Sequence, residues 1–349
     1  MFCLIMSERK PSTRPTIDDV ASYAGVSIAT VSRVINQTAP VATKTVERVQ
    51  AAIENLNYQP QAAARTLAGR KTRTIGLLLP QIGGYFFFPM LQGIESGAHV
   101  DGYNLLIHSA LSNPDPDQGE MPLALGEHNT DGLIVFAHSL SEKELRRLYD
   151  FGLPLVLLHQ SPPEGLAIPN VTFENKDGAR RIVEHLIEVH GYREIAILTG
   201  PEEHEDSYWR EMGYLEALNA HGLVFNSALK LRGKFSPEIA RLAVAGLLGT
   251  GVPLDAIFAA DDESASGAMM ALREAGLRIP EDVAVVGFDD TLLASHLTPP
   301  LTTVHAPIEQ AGRVAISQLV RLINGEKTES VTLLPTELVI RKSCGCCSK

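Results

Sequence analysis

Two pairs of adjacent carboxylates, Asp261–Asp262 and Asp289–Asp290, end the apolar runs "AIFAA" (256–260) and "VAVVGFDD" (283–290). Arg210 stands in "TGPEEHEDSYWR", beside Asp206 and Trp209. Carboxylates and a guanidinium make strong charge-assisted hydrogen bonds to hydroxyls and anions. Such carboxylate pairs could also imitate a glycoside-hydrolase dyad, but neighbours on one strand end seldom converge on one bond. Tyr85, Phe86, Phe87 and Phe88 follow a glycine pair after the first apolar run. Aromatic faces of that kind stack on the C–H faces of sugars; equally, two of the four can be core. "HLIEVH" sets His185, Glu188 and His190 at the wrong spacing for an H-E-x-x-H zinc site and reads as the wet end of an amphipathic helix. Of the four cysteines, Cys344, Cys346 and Cys347 crowd the last six residues. With no partner Cys-x-x-Cys and no nearby histidine in the sequence, they read as an exposed tail and not as a disulfide framework. The G-x-S-x-G elbow, the Walker loop and a complete dinucleotide fingerprint are all missing. No catalytic residue, metal site or cofactor is expected, and the chain does not read as an enzyme.

A different chemistry occupies the first sixty residues. Thr16 and Asp19 form a capping-box pattern ahead of Ile17, Val20, Ala21 and Ala24, which recur at helical spacing. Gly25 suits a helix exit, and Ser27 suits the cap of a second helix. In that helix Val31, Val34 and Ile35 point inward and Ile28, Ala29, Ser32 and Arg33 outward. Small Ala29 and Ser32 let the helix sink into a major groove, Arg33 can fork onto guanine or phosphate, and Ser27 and Thr30 can bond phosphates. Ile28 and Ala29 offer no hydrogen bond to a base. A third helix, "KTVERVQAAIENL", carries Val46, Val49, Ile53 and Leu56 and stops at Pro60. Ala42 stands where a capping Ser is expected before that helix, and Thr43 can substitute by shifting the start one residue. "PQAAARTLAGR" (60–70) spans two marginal helical turns. Its Leu67 can wedge between base steps, though a plain linker reads as well.

Charge divides the chain the same way. Residues 1–72 hold nine Lys and Arg against five Asp and Glu, so they carry +4, while the whole chain carries −11. A basic head on an acidic body is the asymmetry expected of a module that meets a polyanion. "MFCLIM" is too short for a secretory signal, Met6 is an alternative start, and no apolar run approaches the ~20 residues of a membrane span. A soluble, cytoplasmic protein with no membrane partner is expected.

From residue 74 onward, apolar strand-like runs alternate with amphipathic helical ones at 89–100, 141–151, 177–190, 208–221, 236–249 and 263–275. This predicts an α/β body with parallel sheets covered on both faces. About eight units exceed one compact sheet, so two lobes are expected, with crossovers near 160–172, 290–302 and 324–331. Ligands bind at the carboxyl ends of strands in such sheets, which puts a site in the cleft between the lobes.

"TIDDVASYAGVSIATVSRVIN", "LNYQPQAAARTLAG" and "VVGFDDT…PPLTTV" together resemble the LacI/GalR family of bacterial transcription factors, over nearly the whole chain. The resemblance implies an all-α helix-turn-helix headpiece with a hinge helix and a two-lobed, periplasmic-binding-protein-like (type I) domain. It also implies a homodimer on a pseudo-palindromic double-stranded DNA operator. The implied layout is a disordered tail (1–15), the headpiece (16–59), the hinge (60–73), the effector and dimerisation domain (74–343) and a tail (344–349). Thr16, Ser27, Ile28, Ala29, Thr30, Ser32, Arg33, Asn36, Arg65 and Leu67 become the candidate DNA-binding residues. The candidate effector residues are Phe86, Phe87, Phe136, Asp177, Asp206, Trp209, Arg210, Asp261 and Asp289. By position, Arg210, Asp289 and Asp261 match the family's effector contacts, and Asp177 and Phe136 match pocket-lining positions. One arginine among carboxylates and aromatics suits a neutral sugar better than a phosphate. The expected function is a repressor controlled by a small effector. A sugar-binding transport component or a cleft enzyme would share the body and lack the basic head. The end of the chain carries no leucine heptads, so a dimer is expected rather than a tetramer.

Overall fold

The structure, a computed structural model, describes residues 15–36, 39–58, 71–109 and 125–346 and divides the chain into two units, 1–72 and 73–349. Arg65 and Leu67 lie outside the described residues.

In the first unit, α1 (Ile17–Ala24), α2 (Ile28–Asn36) and α3 (Thr43–Leu56) enclose a small core of Val20, Ala21, Ala24, Val31, Val49, Ala52 and Tyr58. Thr16 and Asp19 close the capping box: the Thr16 hydroxyl accepts from Asp19 N (3.3 Å), and the Asp19 carboxylate accepts from Thr16 N (2.7 Å). Gly25 takes φ +62°, and this left-handed residue turns the chain from α1 into α2. Ser27 accepts from Thr30 N (3.2 Å) and so starts α2. Arg48 of α3 donates to the carbonyls of Ala24 and Gly25 and ties the turn to the third helix. Thr43 does not take over the capping role: Ala42 occupies the cap position with no side-chain bond, and Thr43 is already helical.

The second unit holds eight more helices among the described residues: α4 (Gly84–Val100), α5 (Glu142–Phe151), α6 (Asn175–His190), α7 (Glu205–Ala220), α8 (Pro237–Leu248), α9 (Asp262–Glu274), α10 (Leu292–His296) and α11 (Ile308–Ile323). Its strands are β1 (Thr74–Leu79), β2 (Asn104–Ser109), β3 (Gly132–Phe136), β4 (Leu155–Leu158), β5 (Asn170–Phe173), β6 (Ile195–Thr199), β7 (Lys230–Arg232), β8 (Ala256–Ala259), β9 (Ala284–Val286), β10 (Thr303–His305), β11 (Val331–Leu334) and β12 (Glu337–Val339). A six-stranded parallel sheet runs β11-β5-β4-β3-β1-β2, and a four-stranded parallel sheet runs β7-β6-β8-β9. The antiparallel pair β10-β12 adjoins the second sheet, through single parallel bridges Val286↔Thr302 and Asp289↔His305.

The chain passes between the lobes later than expected. β5 still pairs with β4, in the register Leu157↔Asn170, so the first passage follows Phe173 instead of falling in 160–172. The second follows β10, because α11 packs on α4 of the first lobe. The third follows β11, which pairs with β5. α11 itself was not among the expected helices. Nor does the chain end in an exposed tail at 344: Cys344 is fully buried, and Ser343 Oγ donates to the carbonyl of Val285 in β9 (2.6 Å).

Helix spacing in the second lobe depends on Gly213 of α7, where an added Cβ would stand 2.2 Å from the carbonyl oxygen of Lys176 in α6. Backbone has no flexible end to yield, so Gly213→Ala forces α6 and α7 apart. Overpacking of this kind costs about 1–3 kcal/mol. A fall in the urea midpoint of that order is expected, and an unchanged midpoint would contradict the close approach.

Candidate functional site

The carboxyl ends of the strands converge on one buried polar cluster. Asp206 and Arg210 lie one turn apart on α7, so both project from the same face. Asp206 is almost fully buried, and its carboxylate draws on both lobes. His159, one residue past β4, meets it through Nδ1 (2.8 Å), and Thr172 of β5 donates its hydroxyl (3.2 Å). Asn175, at the start of α6, donates Nδ2 (2.8 Å). Burial alone would raise the Asp206 pKa, but His159, Arg210 and His204 together hold it below the usual carboxylate range.

Arg210 is 2 % exposed. Its Nε donates to Asn175 Oδ1 (2.9 Å), and one terminal nitrogen donates to the Ala260 carbonyl. The other forms an ion pair with Asp289 (3.0 Å), and the guanidinium lies 3.8 Å from the centroid of the Phe288 ring. The cation is therefore fixed on all sides by acceptors and an aromatic face.

Asp261 caps α9, accepting from Glu263 N (3.2 Å) and Ser264 N (3.3 Å). Burial lifts its pKa to about 6 and that of Asp262 to about 7, and lifts Asp289 well above the ordinary value. The two acid pairs split. Asp262 is held by Thr291 and Thr303, and Asp290 pairs with Arg341 (2.7 Å) and His305 (3.1 Å). Neither partner is turned to a shared bond.

The aromatic wall is built by Phe86, Phe87, Phe136 and His159, with ring centroids 5.1–6.1 Å apart in edge-on or tilted pairs. Phe86 and Phe87 turn inward because "YFFFP" is the first turn of α4 and not a loop; Tyr85 and Phe88 are 48 % and 65 % exposed. His204 packs against Phe136, His138 and Phe235, and burial lowers its pKa to about 4.

Among the described residues, six of the eight non-glycine residues with positive φ sit just beyond strands of this region: His138, His159, Lys234, Phe235, Asp289 and Asp290. Left-handed backbone at such residues costs energy and persists only where the surroundings enforce it. Here it turns side chains off the strand axis. Several buried polar atoms also lack a hydrogen-bond partner in the protein: His159 Nε2, His204 Nδ1 and Ser264 Oγ. Asp206 is an acceptor, so His159 donates to it from Nδ1, and Nε2 is turned away from that bond.

Two expected residues do not join the cluster. Asp177 is half-buried and ion-paired with Arg180 and Arg181 along α6. Trp209 is 44 % exposed and packs edge-on against Tyr208. His159, Asn175, His204 and Phe235, none of them named from sequence, take places in or beside it.

In the first unit, Thr16, Ser27, Ile28, Ala29 and Arg33 are exposed, and Thr30 and Ser32 are half-buried. Ser27 and Thr30 share a hydroxyl–hydroxyl bond (2.9 Å). Asn36 ends α2.

Residues 16–61 match the model for bacterial regulatory proteins of the lacI family, and residues 183–344 match that for a periplasmic binding protein-like domain. The chain is 37% identical over 339 residues to the HTH-type transcriptional regulator CelR of Thermobifida fusca, spanning 95% of this chain and 98% of that protein. It is 35% identical over 331 residues to the HTH-type transcriptional repressor PurR of Erwinia tasmaniensis, spanning 94% and 96%. The chain belongs to the LacI family. Solved structures agree. The CelR–cellobiose complex superposes with a TM-score of 0.69 at 34% identity, over 95% of this chain and 100% of that one. The lac repressor dimer bound to operator and the anti-inducer ONPF superposes with 0.78 at 30%, over 95% and 99%. This LacI-family chain is thus a DNA-binding transcriptional regulator: a helix-turn-helix unit joined to a two-lobed ligand-binding unit. No helix among the described residues is long and apolar enough to cross a membrane.

The raised Asp261 pKa gives the regulator a pH signature. Unfolded, the group titrates near 3.8; folded, near 6. Between those values the folded chain binds the extra proton, so stability falls as pH rises, and the full penalty, about 3 kcal/mol, is present above pH 6. Asp261→Asn keeps the cap and removes the charge. Its stability relative to wild type should therefore be higher at pH 8 than at pH 5 in thermal unfolding without ligand. A difference that does not change with pH would contradict a buried ionised carboxylate.

Proposed function

We propose that this chain is a cytoplasmic, non-enzymatic repressor whose grip on a pseudo-palindromic operator is set by a neutral sugar bound between the lobes. The observation that carries the ligand class is the mixture of partnerless buried groups: ring nitrogens at His159 and His204 and a hydroxyl at Ser264. A sugar hydroxyl donates and accepts at once and so satisfies such a mixture. The rings of Phe86 and Phe136 supply an apolar wall for its C–H face. Asp206, buried and held ionised beside the one guanidinium, would repel a phosphate. The CelR relative crystallised with cellobiose is in keeping with this class.

Ligand contacts are assigned to Phe86, Phe136, His159, Arg210, Asp261 and Asp289, with Asp206 and Asn175 positioning Arg210. Asp177 is withdrawn from the set, and Trp209, on the exposed flank of α7, is left at its rim. The working unit is a homodimer, as in the lac repressor complex. Edge strand β2 leaves Leu106 and Ile107 about two-fifths exposed, a surface suited to a second copy. In each headpiece, Ile28, Ala29 and Arg33 enter the major groove, while Thr16, Ser27, Thr30, Ser32 and Asn36 hold the backbone. Arg65 and Leu67 of the hinge enter the minor groove.

Calorimetry against neutral mono- and disaccharides should find binding that Arg210→Ala weakens at least tenfold. Binding confined to phosphorylated or purine ligands would overturn the sugar reading. Arg33→Ala should cost about 1–3 kcal/mol of operator affinity. Leu67→Ala should reduce operator affinity and bending while leaving sugar binding intact. Unchanged gel-shift titrations for either variant would remove that residue from the interface.

A further inference from the structure

Far from the cleft, the fold gathers four side chains with metal-ligand chemistry. His185 and His190 come from the last turns of α6, and Cys344 and Cys346 from the end of the described chain. One ligand atom from each lies within 4.8 Å of all the others. Cys346 Sγ is 3.4 Å from His190 Nε2 and 3.6 Å from His185 Nε2. Zinc bonds of about 2.3 Å to sulfur and 2.0–2.1 Å to nitrogen put mixed S–N edges of a tetrahedron about 3.5 Å apart. These two separations already stand at that length, and the remaining ones need to contract by at most about 1.5 Å.

We propose that His185, His190, Cys344 and Cys346 form a closed, tetrahedral Cys2His2 zinc site that fastens the C-terminal segment to α6. The surroundings hold the donors in place without the ion. Tyr192 stacks on His190 at 5.3 Å and donates its hydroxyl to the Cys344 carbonyl (3.3 Å). Thr302 Oγ1 donates to Cys344 Sγ (3.1 Å), the kind of bond that steadies a ligating sulfur. Between the cysteines, Gly345 adopts φ +106°, and a Cβ there would stand 3.2 Å from the His190 ring. Only glycine makes this turn while letting both sulfurs reach the same point.

Soft sulfur with imidazole selects zinc over magnesium or calcium, and four protein ligands leave no open position for a reacting water. α6 runs about 22 Å from Asn175, beside Arg210, to His190. The site is therefore structural and separate from the sugar cleft. It secures the segment that follows the third passage between lobes, next to Ser343, which is already bonded to Thr302 N (2.8 Å) and Val285 O.

The test uses untagged full-length protein, reduced, loaded with zinc and passed through gel filtration in metal-free buffer. Elemental analysis should find one zinc per chain, and replacement by cobalt should give the intense visible bands of a tetrahedral, thiolate-ligated ion. Cys346→Ser and His185→Gln should each lose the zinc. A Cys3→Ser, Cys347→Ser double variant should keep it. The cobalt spectrum of the unaltered chain decides even where a variant fails to fold. The proposal is overturned by a metal-free wild-type chain, a weak octahedral cobalt spectrum, a Cys344–Cys346 disulfide in reduced protein, zinc retained by Cys346→Ser, or zinc lost from the double variant.

Discussion

The ligand-binding unit depends on one buried carboxylate. Asp206 accepts from His159 and Thr172 on the first lobe and from Asn175 on the second, and Arg210 of its own helix lies 3.9 Å away. An ionised group this deep is tolerable only when its partners are all in place. Removing one from such a pair typically costs about 3–5 kcal/mol. The lobes therefore do not slide freely past each other. They meet where Asp206 is satisfied, supported at the rim by Ser161 on Glu205 (2.8 Å) and by Tyr85 N on Glu263 (2.8 Å). Opening the cleft breaks the contacts made by His159, Thr172, Ser161 and Tyr85 together, the kind of change that favours two discrete arrangements over a continuum.

A ligand works on this seam by completing it. His159, His204 and Ser264 keep polar atoms without hydrogen-bond partners in the protein, in the region of the fixed Arg210. On the proposed reading, a polyhydroxyl molecule supplies the missing bonds only while both lobes surround it, so its binding energy goes into holding one arrangement. Shifting a regulator from mostly bound to mostly free requires a preference of roughly 3–5 kcal/mol for one arrangement. A few buried hydroxyl–carboxylate bonds are of that order. The strain at His159 and Asp289, both at positive φ, is what sets their side chains toward the centre.

Much of this was legible in the sequence. The capping box at Thr16, Gly25 at the turn and the helical spacing of Val20, Ala24 and Val31 are local signals, and the headpiece follows from them. Asp261 and Asp289 stand at or near strand ends, where parallel sheets place ligands. The misses have physical causes. Trp209 is one residue, about 100°, away from Arg210 around α7, and Asp177 is two residues from Asn175 on α6, so each falls on another face. His159 ended the run "PLVLLH", a usable signal, but its left-handed turn is invisible in composition. α11 packs on α4 through small residues, Ala311, Gly312 and Ala315, which blur an apolar stripe. The contact of Cys344 and Cys346 with His185 and His190 crosses more than 150 residues, and no local spacing rule reaches that far.

The central claim is that ligand in the cleft and operator on the headpieces are coupled through the lobes. Coupling in binding is reciprocal. The direct measurement is operator affinity by fluorescence anisotropy with and without a saturating neutral sugar, paired with sugar affinity with and without operator. The account predicts the same factor, tenfold or more, in both titrations, and its loss in Arg210→Ala. Tight sugar binding that leaves operator affinity unchanged in the wild-type chain would contradict it.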